Sequence, residues 1–341
     1  MLSNRSPWIK QLNRTRPVKP LERDAETDVV IVGGGIAGVT TAFFVLKNTD
    51  TAVILLEANK VAHGATGHNA GQVTSYFERP FHELVKEFGL TEAAAGQRAV
   101  EETAWELLDE IYTEAKLDIP FSRFTGYSGL STFDQVISHL KNVSLRQEAG
   151  LPVNKLSIAK DCQFANDISQ EYSAFYDLVP HKEILSKLET EKKEFVAVSE
   201  QHKGVINSAL FTEEVAVYLL EKYKERFEVF ENSKVHKVVL KEDHALLDVE
   251  RHFVRTKKVI LCTNGFENFE IFNTSGLEIN TDFHHLVHGV VARMNGYLES
   301  LNKPPMAISY YIAPTAGFDD MKEPYFYLTR RMYEYNHQKH N

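Results

Sequence analysis

A chain of 341 residues, 43% hydrophobic and 25% charged, has the composition of an ordinary globular protein and is long enough for two domains. Its net charge of −9 argues against a protein that tracks nucleic-acid phosphates, and it holds no apolar run of about 18 residues that could span a bilayer. Cys162 and Cys262 are too few and too far apart for a disulfide framework or a cysteine zinc site, a pattern that fits a reducing, cytoplasmic setting.

Residues 1–27 are polar, carry five Arg or Lys between Arg5 and Lys19, and lack the apolar core of a signal peptide. The expectation is a surface arm packed through Trp8, Ile9 and Leu12, with a membrane-surface or partner contact as the alternative. Val29 to Val32 is a continuous apolar run, as expected of a parallel strand covered on both faces. Ile36 to Leu46 has helical length and spacing, and Ala52 to Leu56 reads as a second buried strand. Together residues 28–57 form one βαβ unit.

Residues 91–117 predict a long amphipathic helix, with Val100, Ala104, Leu107 or Leu108, Ile111 and Ala115 on one stripe and an acidic face elsewhere. A second helix runs from about Phe133 to Ala149 and stops at Gly150 before Pro152. Residues 155–200 show no sharp period. A helix over Phe211 to Tyr223 precedes "KVHKVVL", "HALLDVE" and "HFVRTKKVILCTNG", which read as an antiparallel meander whose last strand, Val259 to Cys262, rejoins the parallel sheet. Residues 283–295 and 306–329 are strand-rich and aromatic.

Gly33-Gly34-Gly35-Ile36-Ala37-Gly38 fits GxGxxG and sits between a predicted strand and a predicted helix, the context that gives this motif meaning. Gly33 permits the tight turn, Gly35 lets backbone N–H groups of Ile36 and Ala37 reach a pyrophosphate, and Gly38 lets helix and strand pack closely. Glu57, 19 residues after Gly38, is placed to accept hydrogen bonds from a ribose diol; a 2′-phosphate there would meet like charge, which argues against NADP. The turn predicts a dinucleotide and does not separate NAD from FAD.

The stretch that follows is small-residue-rich: Gly64-Ala65-Thr66-Gly67-His68-Asn69-Ala70-Gly71. With "TDVVIVGGGIAGVTTAFFVL", "VILLEANKVAHGATGHNAGQVT" and "VILCTNGF", it is similar to the D-amino-acid-oxidase-type family of FAD-dependent oxidoreductases, which includes glycine and sarcosine oxidases, D-amino-acid dehydrogenases and γ-glutamylputrescine oxidase. The resemblance covers residues 28–75 and 203–265 well and the intervening cap loosely. It implies an α/β fold: a Rossmann-like FAD-binding domain, with a parallel sheet plus antiparallel meander, and an interleaved α+β substrate or cap domain. Residues 1–27 would be an arm, 28–75 and 201–268 the FAD-binding domain, and 76–200 and 269–341 the cap.

On that resemblance FAD contacts fall to Gly33, Gly35, Ile36, Ala37, Gly38, Glu57, Ala58, Ala65, Thr66, Gly67, His68, Asn69, Gly71 and Gln72, to Val235 through its backbone beside the adenine, and to the Thr263-Asn264-Gly265 turn. A flat, rigid isoalloxazine admits backbone along its edge only where Cβ atoms are absent or small. His68 stands where the named oxidases often have Arg. In the dimethylglycine- and sarcosine-dehydrogenase branch a similar histidine is joined covalently to the flavin, so His68 is open to a covalent bond, a noncovalent edge contact or a structural role.

The family resemblance implies oxidation of a C–N bond in a small-molecule amine or amino acid, with hydride passing to the flavin and the imine hydrolysing. Tyr325, Tyr327, Arg330, Arg331 and His285 are the candidate substrate residues, with Tyr310 and Tyr311 nearby. "HHLVH" (His284, His285, His288) reads as a strand and not as a metal site. Relatives continue into a glycine-rich strand–loop–helix over the flavin's pyrimidine end, which this chain is expected to lack. A noncatalytic FAD-binding fragment and an NAD-dependent dehydrogenase are the competing readings.

Overall fold

The computed structural model describes residues 6–77, 79–265, 268–285, 294–313 and 325–340, without the side chains of Asp282, His285 and Tyr325. The strands begin with β1 (Ala25–Val32), β2 (Val53–Leu56), β3 (Gln72–Thr74), β4 (Phe121–Leu130), β5 (Leu156–Ala159), β6 (Tyr176–Val179) and β7 (Ala197–Ile206). They continue with β8 (Phe227–Phe230), β9 (Val235–Leu240), β10 (Ala245–Val249), β11 (His252–Leu261), β12 (Glu270–Asn273), β13 (Met306–Tyr311) and β14 (Tyr325–Arg330). The helices are α1 (Ile36–Asn48), α2 (Phe81–Phe88), α3 (Leu90–Arg98), α4 (Ala104–Glu114), α5 (Phe133–Glu148), α6 (His181–Lys187), α7 (Ser208–Lys222) and α8 (Asn280–His285). The chain forms two compact units, one of Met1–Asn69, Ile111–Ile119 and Asn207–Tyr297, the other of Ala70–Glu110, Pro120–Ile206 and Leu298–Asn341.

In the first unit a seven-stranded sheet runs β12-β9-β10-β11-β1-β2-β8. β1 lies parallel to both β11 and β2, and β2 parallel to β8, while β9, β10 and β11 form an antiparallel meander. The predicted parallel sheet and meander are therefore both present, and β11 serves both: it closes the meander and then runs along β1. Val30, Ile31 and Leu55 are buried, which is why their strands read as unbroken apolar runs. α7 starts three residues earlier than its sequence pattern suggested, because Asn207 Oδ1 accepts hydrogen bonds from Ala209 and Leu210 N–H.

The second unit holds the sheet β14-β13-β4-β7-β5-β6, with β3 beside β7. β4 and β7 pair antiparallel from Phe121–Ile206 to Leu130–Ala197. Val136, Leu140 and Val143 of α5 pack with Leu156, Ile158 and Ala197, whereas Ile184 and Leu188 cluster with Val198 and Ile308. Adjacent Ala197 and Val198 point to opposite faces, so the sheet is covered on both sides there. α5 itself begins at the capping box of Thr132 and Gln135 and is followed by Gly150 at φ +67°.

Three expectations are corrected. The helix over 91–117 is interrupted by a π-helical turn at Ala99–Thr103, whose extra residue shifts the phase of everything after it. Ala93, Ala94, Gln97, Trp105 and Ile111 are the buried positions, and Ala104 and Leu107 of the predicted stripe are exposed. The strand expected from residue 283 is instead helical through His285, where the Glu278 carboxylate accepts from Asn280 and Thr281 N–H at 2.7 and 3.3 Å; residues 286–293, including His288, lie outside the described residues. The N-terminal segment is more than a surface arm. Trp8 and Leu21 are buried, and Arg14 and Arg16 enter a four-member ion cluster with Glu213 and Glu231.

That cluster closes over Glu231, which has no exposed surface and also accepts from Val61 N–H at 2.7 Å. Burial alone would push the Glu231 carboxyl up; the bond from Arg16, the Val61 N–H and the charges of Arg16 and Arg14 bring it below the ordinary carboxylate range. The second unit holds a different arrangement. Lys203 on β7 is fully buried, and among the described residues its ammonium makes one side-chain hydrogen bond, to Ser309 Oγ at 3.3 Å. Burial without a counter-ion pulls its amine down to about 8.

Two outcomes are expected. Glu231→Ala leaves two buried guanidinium groups short of charge and lowers unfolding free energy in urea by about 3 kcal/mol. Because the native carboxyl titrates below its unfolded value, its contribution is present above pH 4.5 and is lost as acid carries the pH through the lowered native pKa. Lys203→Met is more stable than the parent by about 1–2 kcal/mol near pH 7, where the buried ammonium is penalised. The parent sheds that penalty as pH rises from about 8 towards 10.5, so the gap closes over that window. Urea denaturation of parent and variant at pH 7 and pH 10 measures it.

Candidate dinucleotide site

The first unit's site is built where β1 ends and α1 begins. Gly33 adopts φ +110°, and a Cβ there would lie 2.4 Å from Cys262 O at the end of β11. A Cβ on Gly38 would lie 1.9 Å from Gly33 O, a distance no side chain can occupy. Both glycines are required by close backbone approach, one between strands and one between helix and turn. A Cβ at Gly35 would reach within 3.0 Å of Thr66 Oγ1, so the turn is closely crossed by the loop that follows β2.

This helix end suits an anion. α1 has no acidic side chain in its first turn, and Thr66 Oγ1 accepts from Ile36 N–H at 2.9 Å. Ile36 and Ala37 are exposed beside it. Glu57 lies at the end of β2, with one carboxylate oxygen 2.7 Å from Gly34 N and the other 2.8 Å from Asn59 N. Its backbone N–H donates to Phe230 O and its carbonyl accepts from Ser233 N–H, which ties the acid to the segment leading into β9. Val235, the first residue of β9, is buried, and Ala58 is exposed.

Residues 64–69 form a short, strongly pinned loop. Ala65–Gly67 make one 3-10 turn, and Asn69 Nδ2 donates to Ala65 O, Thr66 O and Ser208 Oγ at 3.0, 2.7 and 2.9 Å. Ser208 Oγ in turn donates to Thr66 O at 2.7 Å. A Cβ on Gly67 would lie 2.5 Å from Ala62 O and 2.7 Å from Ile9 Cδ1, and Ser6 Oγ donates to Gly67 O, so the N-terminal segment lines the loop's far side. His68 is exposed, with Nδ1 2.8 Å from Gly64 O. At the end of β11, Cys262 N–H donates to Val32 O, and Asn264 takes φ +52° in a turn that leaves Asn264 and Gly265 exposed and Thr263 half-buried.

The first unit therefore brings together Gly33, Gly35, Ile36, Ala37, Gly38, Glu57 and Thr66 around one helix end, with Cys262 and the Thr263–Gly265 turn alongside. Gly71 and Gln72 fall in the second unit, where Gly71 O accepts from Ile206 N–H and Gln72 Nε2 donates to Thr329 Oγ1 at 3.0 Å.

The substrate residues named from sequence also belong to the second unit, apart from His285. Arg330 is buried and bound to Glu189 and Glu299. Arg331 is buried, pulled below the usual arginine range by that burial, and lines a cavity of about 260 Å³ with Lys303 and Ser122. Tyr327 is half-buried opposite Ser309, and Tyr310 donates its hydroxyl to Leu188 O, with burial first among the causes that push its pKa up to about 12. The side chains of Tyr325 and His285 lie outside the described residues. Sequence reading missed Ser208, whose hydroxyl holds the 64–69 loop; the "NS" pair at a helix start was its only signal. Among the described residues there is no His, Cys, Asp and Glu cluster able to hold a metal, and no helix long and apolar enough to cross a membrane.

A glycine turn closed by backbone, an anion-accepting helix end and an acid at the tip of the next strand define a dinucleotide-binding oxidoreductase domain. Residues 28–334 match the DAO family of FAD dependent oxidoreductases, and the chain belongs to that family. Over 85 residues, 24% of this chain and 16% of the relative, it is 40% identical to a Bacillus subtilis protein named as a Rieske 2Fe-2S iron-sulfur protein. Over 88 residues, 26% of this chain and 20% of the relative, it is 32% identical to gamma-glutamylputrescine oxidoreductase of Escherichia coli. The matched stretches thus span a fifth or less of these curated relatives. L-proline dehydrogenase from P. horikoshii has a similar fold, with TM-score 0.51 and 15% identity, covering 84% of this chain and 60% of that one.

Gly38→Ala is expected to be among the most damaging single-methyl changes in the protein. Its Cβ overlaps Gly33 O, so melting temperature falls and FAD added to the purified variant is not retained on a desalting column, whereas Gly64→Ala, which meets nothing within 4 Å, behaves as the parent.

Proposed function

We propose that this chain is the flavin-binding part of an enzyme that oxidises a C–N bond of a small amine or amino acid. The observation that carries the reading is the Gly33–Gly38 turn, where backbone carbonyls occupy the positions a Cβ would need at Gly33 and Gly38, in a chain of the FAD-dependent oxidoreductase family. The name of the Escherichia coli relative, gamma-glutamylputrescine oxidoreductase, supports an amine substrate.

FAD, when bound, supplies a ring that accepts a hydride from the carbon next to nitrogen. The roles of this chain's residues follow from their chemistry. Gly35, Ala37 and Gly38 would present backbone N–H groups and the positive helix end to the two phosphates, with the Ile36 N–H, now given to Thr66 Oγ1, released to join them. Glu57, whose two carboxylate oxygens each accept one backbone N–H, would accept the ribose hydroxyls with their remaining lone pairs. Ala58, Val235, Thr263, Asn264 and Gly265 border the cofactor through backbone. In the first unit, the small or polar side chains of Ala65, Gly67, His68 and Asn69 would leave room for the ring.

On the substrate side, Tyr327, half-buried on β14, supplies an aromatic wall. The carboxylate of an amino-acid substrate is assigned to Arg331. The guanidinium of Arg330 is committed to Glu189 and Glu299, and Arg331 lies with Lys303 on one cavity. The name of the Bacillus subtilis relative supports a second element of the reading, in which the electrons pass on to an iron–sulfur acceptor and not to oxygen.

Reconstitution of the 341-residue chain with FAD, followed by anaerobic addition of D-amino acids, N-methylglycines and polyamine conjugates, tests the proposal. Loss of absorbance near about 450 nm with one class is the expected result. Colour that persists with every amine points to a noncatalytic flavin-binding part; a colourless protein that binds NADH points to nicotinamide chemistry. Arg331→Met raises KM for a carboxylate-bearing substrate about tenfold or more with kcat changed about twofold at most. Arg330→Met instead lowers melting temperature, because Glu189 loses its buried partner.

A further inference from the structure

The second unit's sheet has a gap along one side of β7. β5 pairs with Ala197 and Val198, and β3 pairs with Lys203, Gly204 and Val205. Between them, Ser199–His202 have no strand on that side among the described residues; Asn154 Nδ2 reaches Glu200 O at 3.3 Å, and the rest of the gap opens into a cavity of about 420 Å³. That volume lies within the roughly 300–1,000 Å³ of small-molecule sites.

The chemistry of its walls is unusual for a core. Ser128, Ser199 and Gln201 line the cavity from one face of the sheet, Ser128 directly opposite Ser199 in the β4–β7 register. Ser128 and Ser199 are both 3% exposed, and none of the three side chains makes a hydrogen bond among the described residues; Ser199 Oγ and Gln201 Oε1 are shut off from solvent altogether. Buried polar groups ordinarily find partners, and two buried hydroxyls beside a half-buried amide, all without any, are costly unless something else supplies the bonds. The hydroxyls reach the cavity by rotation about a single bond. Tyr76 and Phe77 add aromatic walls to the cavity; Trp105, which also lines it, packs on His202 from the other face of β7 and gives its N–H to Ser75 Oγ at 2.7 Å.

The lining carries no net charge to offer. Arg146 is paired with Glu101 at 2.9 Å, Arg79 with Glu87 at 2.7 Å, and Glu200 with Lys187 at 3.1 Å. His139 is held neutral, since burial and then the nearby Arg146 charge push its imidazole down to about 4. A free anion or cation would find no counter-charge here without breaking an existing pair.

We propose that this cavity is a binding site for a small uncharged molecule that joins an amide-like donor and acceptor to a flat apolar portion. The amide end meets Gln201, Ser199 and Ser128, and the flat portion lies against the aromatic walls. The inference goes beyond the oxidoreductase reading and does not depend on it, because every wall belongs to the second unit.

Benzamide is the probe, titrated calorimetrically into the full chain with and without FAD, with benzoate and benzylammonium as charged counterparts of the same size. Benzamide is expected to bind in both states and at least about tenfold more tightly than either ion. Gln201→Leu, close in volume, should weaken benzamide about tenfold while leaving melting temperature unchanged or raised. Should that variant fail to fold, Ser128→Ala with Ser199→Ala provides the same reading. Absence of benzamide binding to the parent, meaning that the cavity holds water alone, overturns the proposal. So does unchanged affinity in the variants, or tighter binding of benzoate or benzylammonium.

Discussion

Close backbone approach, Gly38 against the carbonyl of Gly33 with Gly33 itself against the carbonyl of Cys262, governs the first unit. The end of β1 and the first turn of α1, neighbours in sequence, meet the distant end of β11 there without room for a methyl group. Packing this tight fixes the direction in which α1 leaves the sheet, and with it the direction of the helix dipole. It also places Gly34 N–H where the Glu57 carboxylate can reach it, so the acid at the tip of β2 and the glycine turn are set by one constraint.

A turn alone does not make a site; what surrounds it must be held. Thr66 is brought onto the start of α1 by a loop that Asn69 and Ser208 pin from one side and the N-terminal segment from the other. That segment is anchored through Arg14 and Arg16 to Glu213 on α7 and Glu231 after β8, two carboxylates with almost no exposed surface. The ion cluster is thus a structural support of the glycine-turn region of the first unit: it seats the chain that seats the loop. Its arginines cannot be replaced by lysines without loss, because each spans two carboxylates through several N–H groups.

The second unit follows a different logic. Its sheet carries Ser128, Ser199, Gln201 and Lys203 on one face among apolar neighbours, a choice that costs stability and is common where a surface must recognise something. Arg330 and Arg331, adjacent in sequence, have separate roles for the same reason. One is balanced by Glu189 and Glu299, and the other is buried beside a cavity.

Much of the first unit was legible in the sequence because its signals are local. Val29 to Val32, the spacing of Gly33, Gly35 and Gly38, and Glu57 at the next strand's end each report a conformation imposed by nearby atoms. The meander was legible for the same reason, through short apolar runs and charged turns. What the sequence could not give depended on residues far apart or on a local event that breaks a period. The π turn at Ala99–Thr103 rotated a helix whose stripe read cleanly, and Glu278 capped a helix where alternation suggested a strand. The arginines at 14 and 16 lay in what read as a polar surface arm, and the fold brings Glu213 and Glu231 to them across some two hundred residues. Periodicity and turn chemistry are written into neighbouring positions; charge pairing, cavities and unpartnered polar groups exist only once distant strands have met.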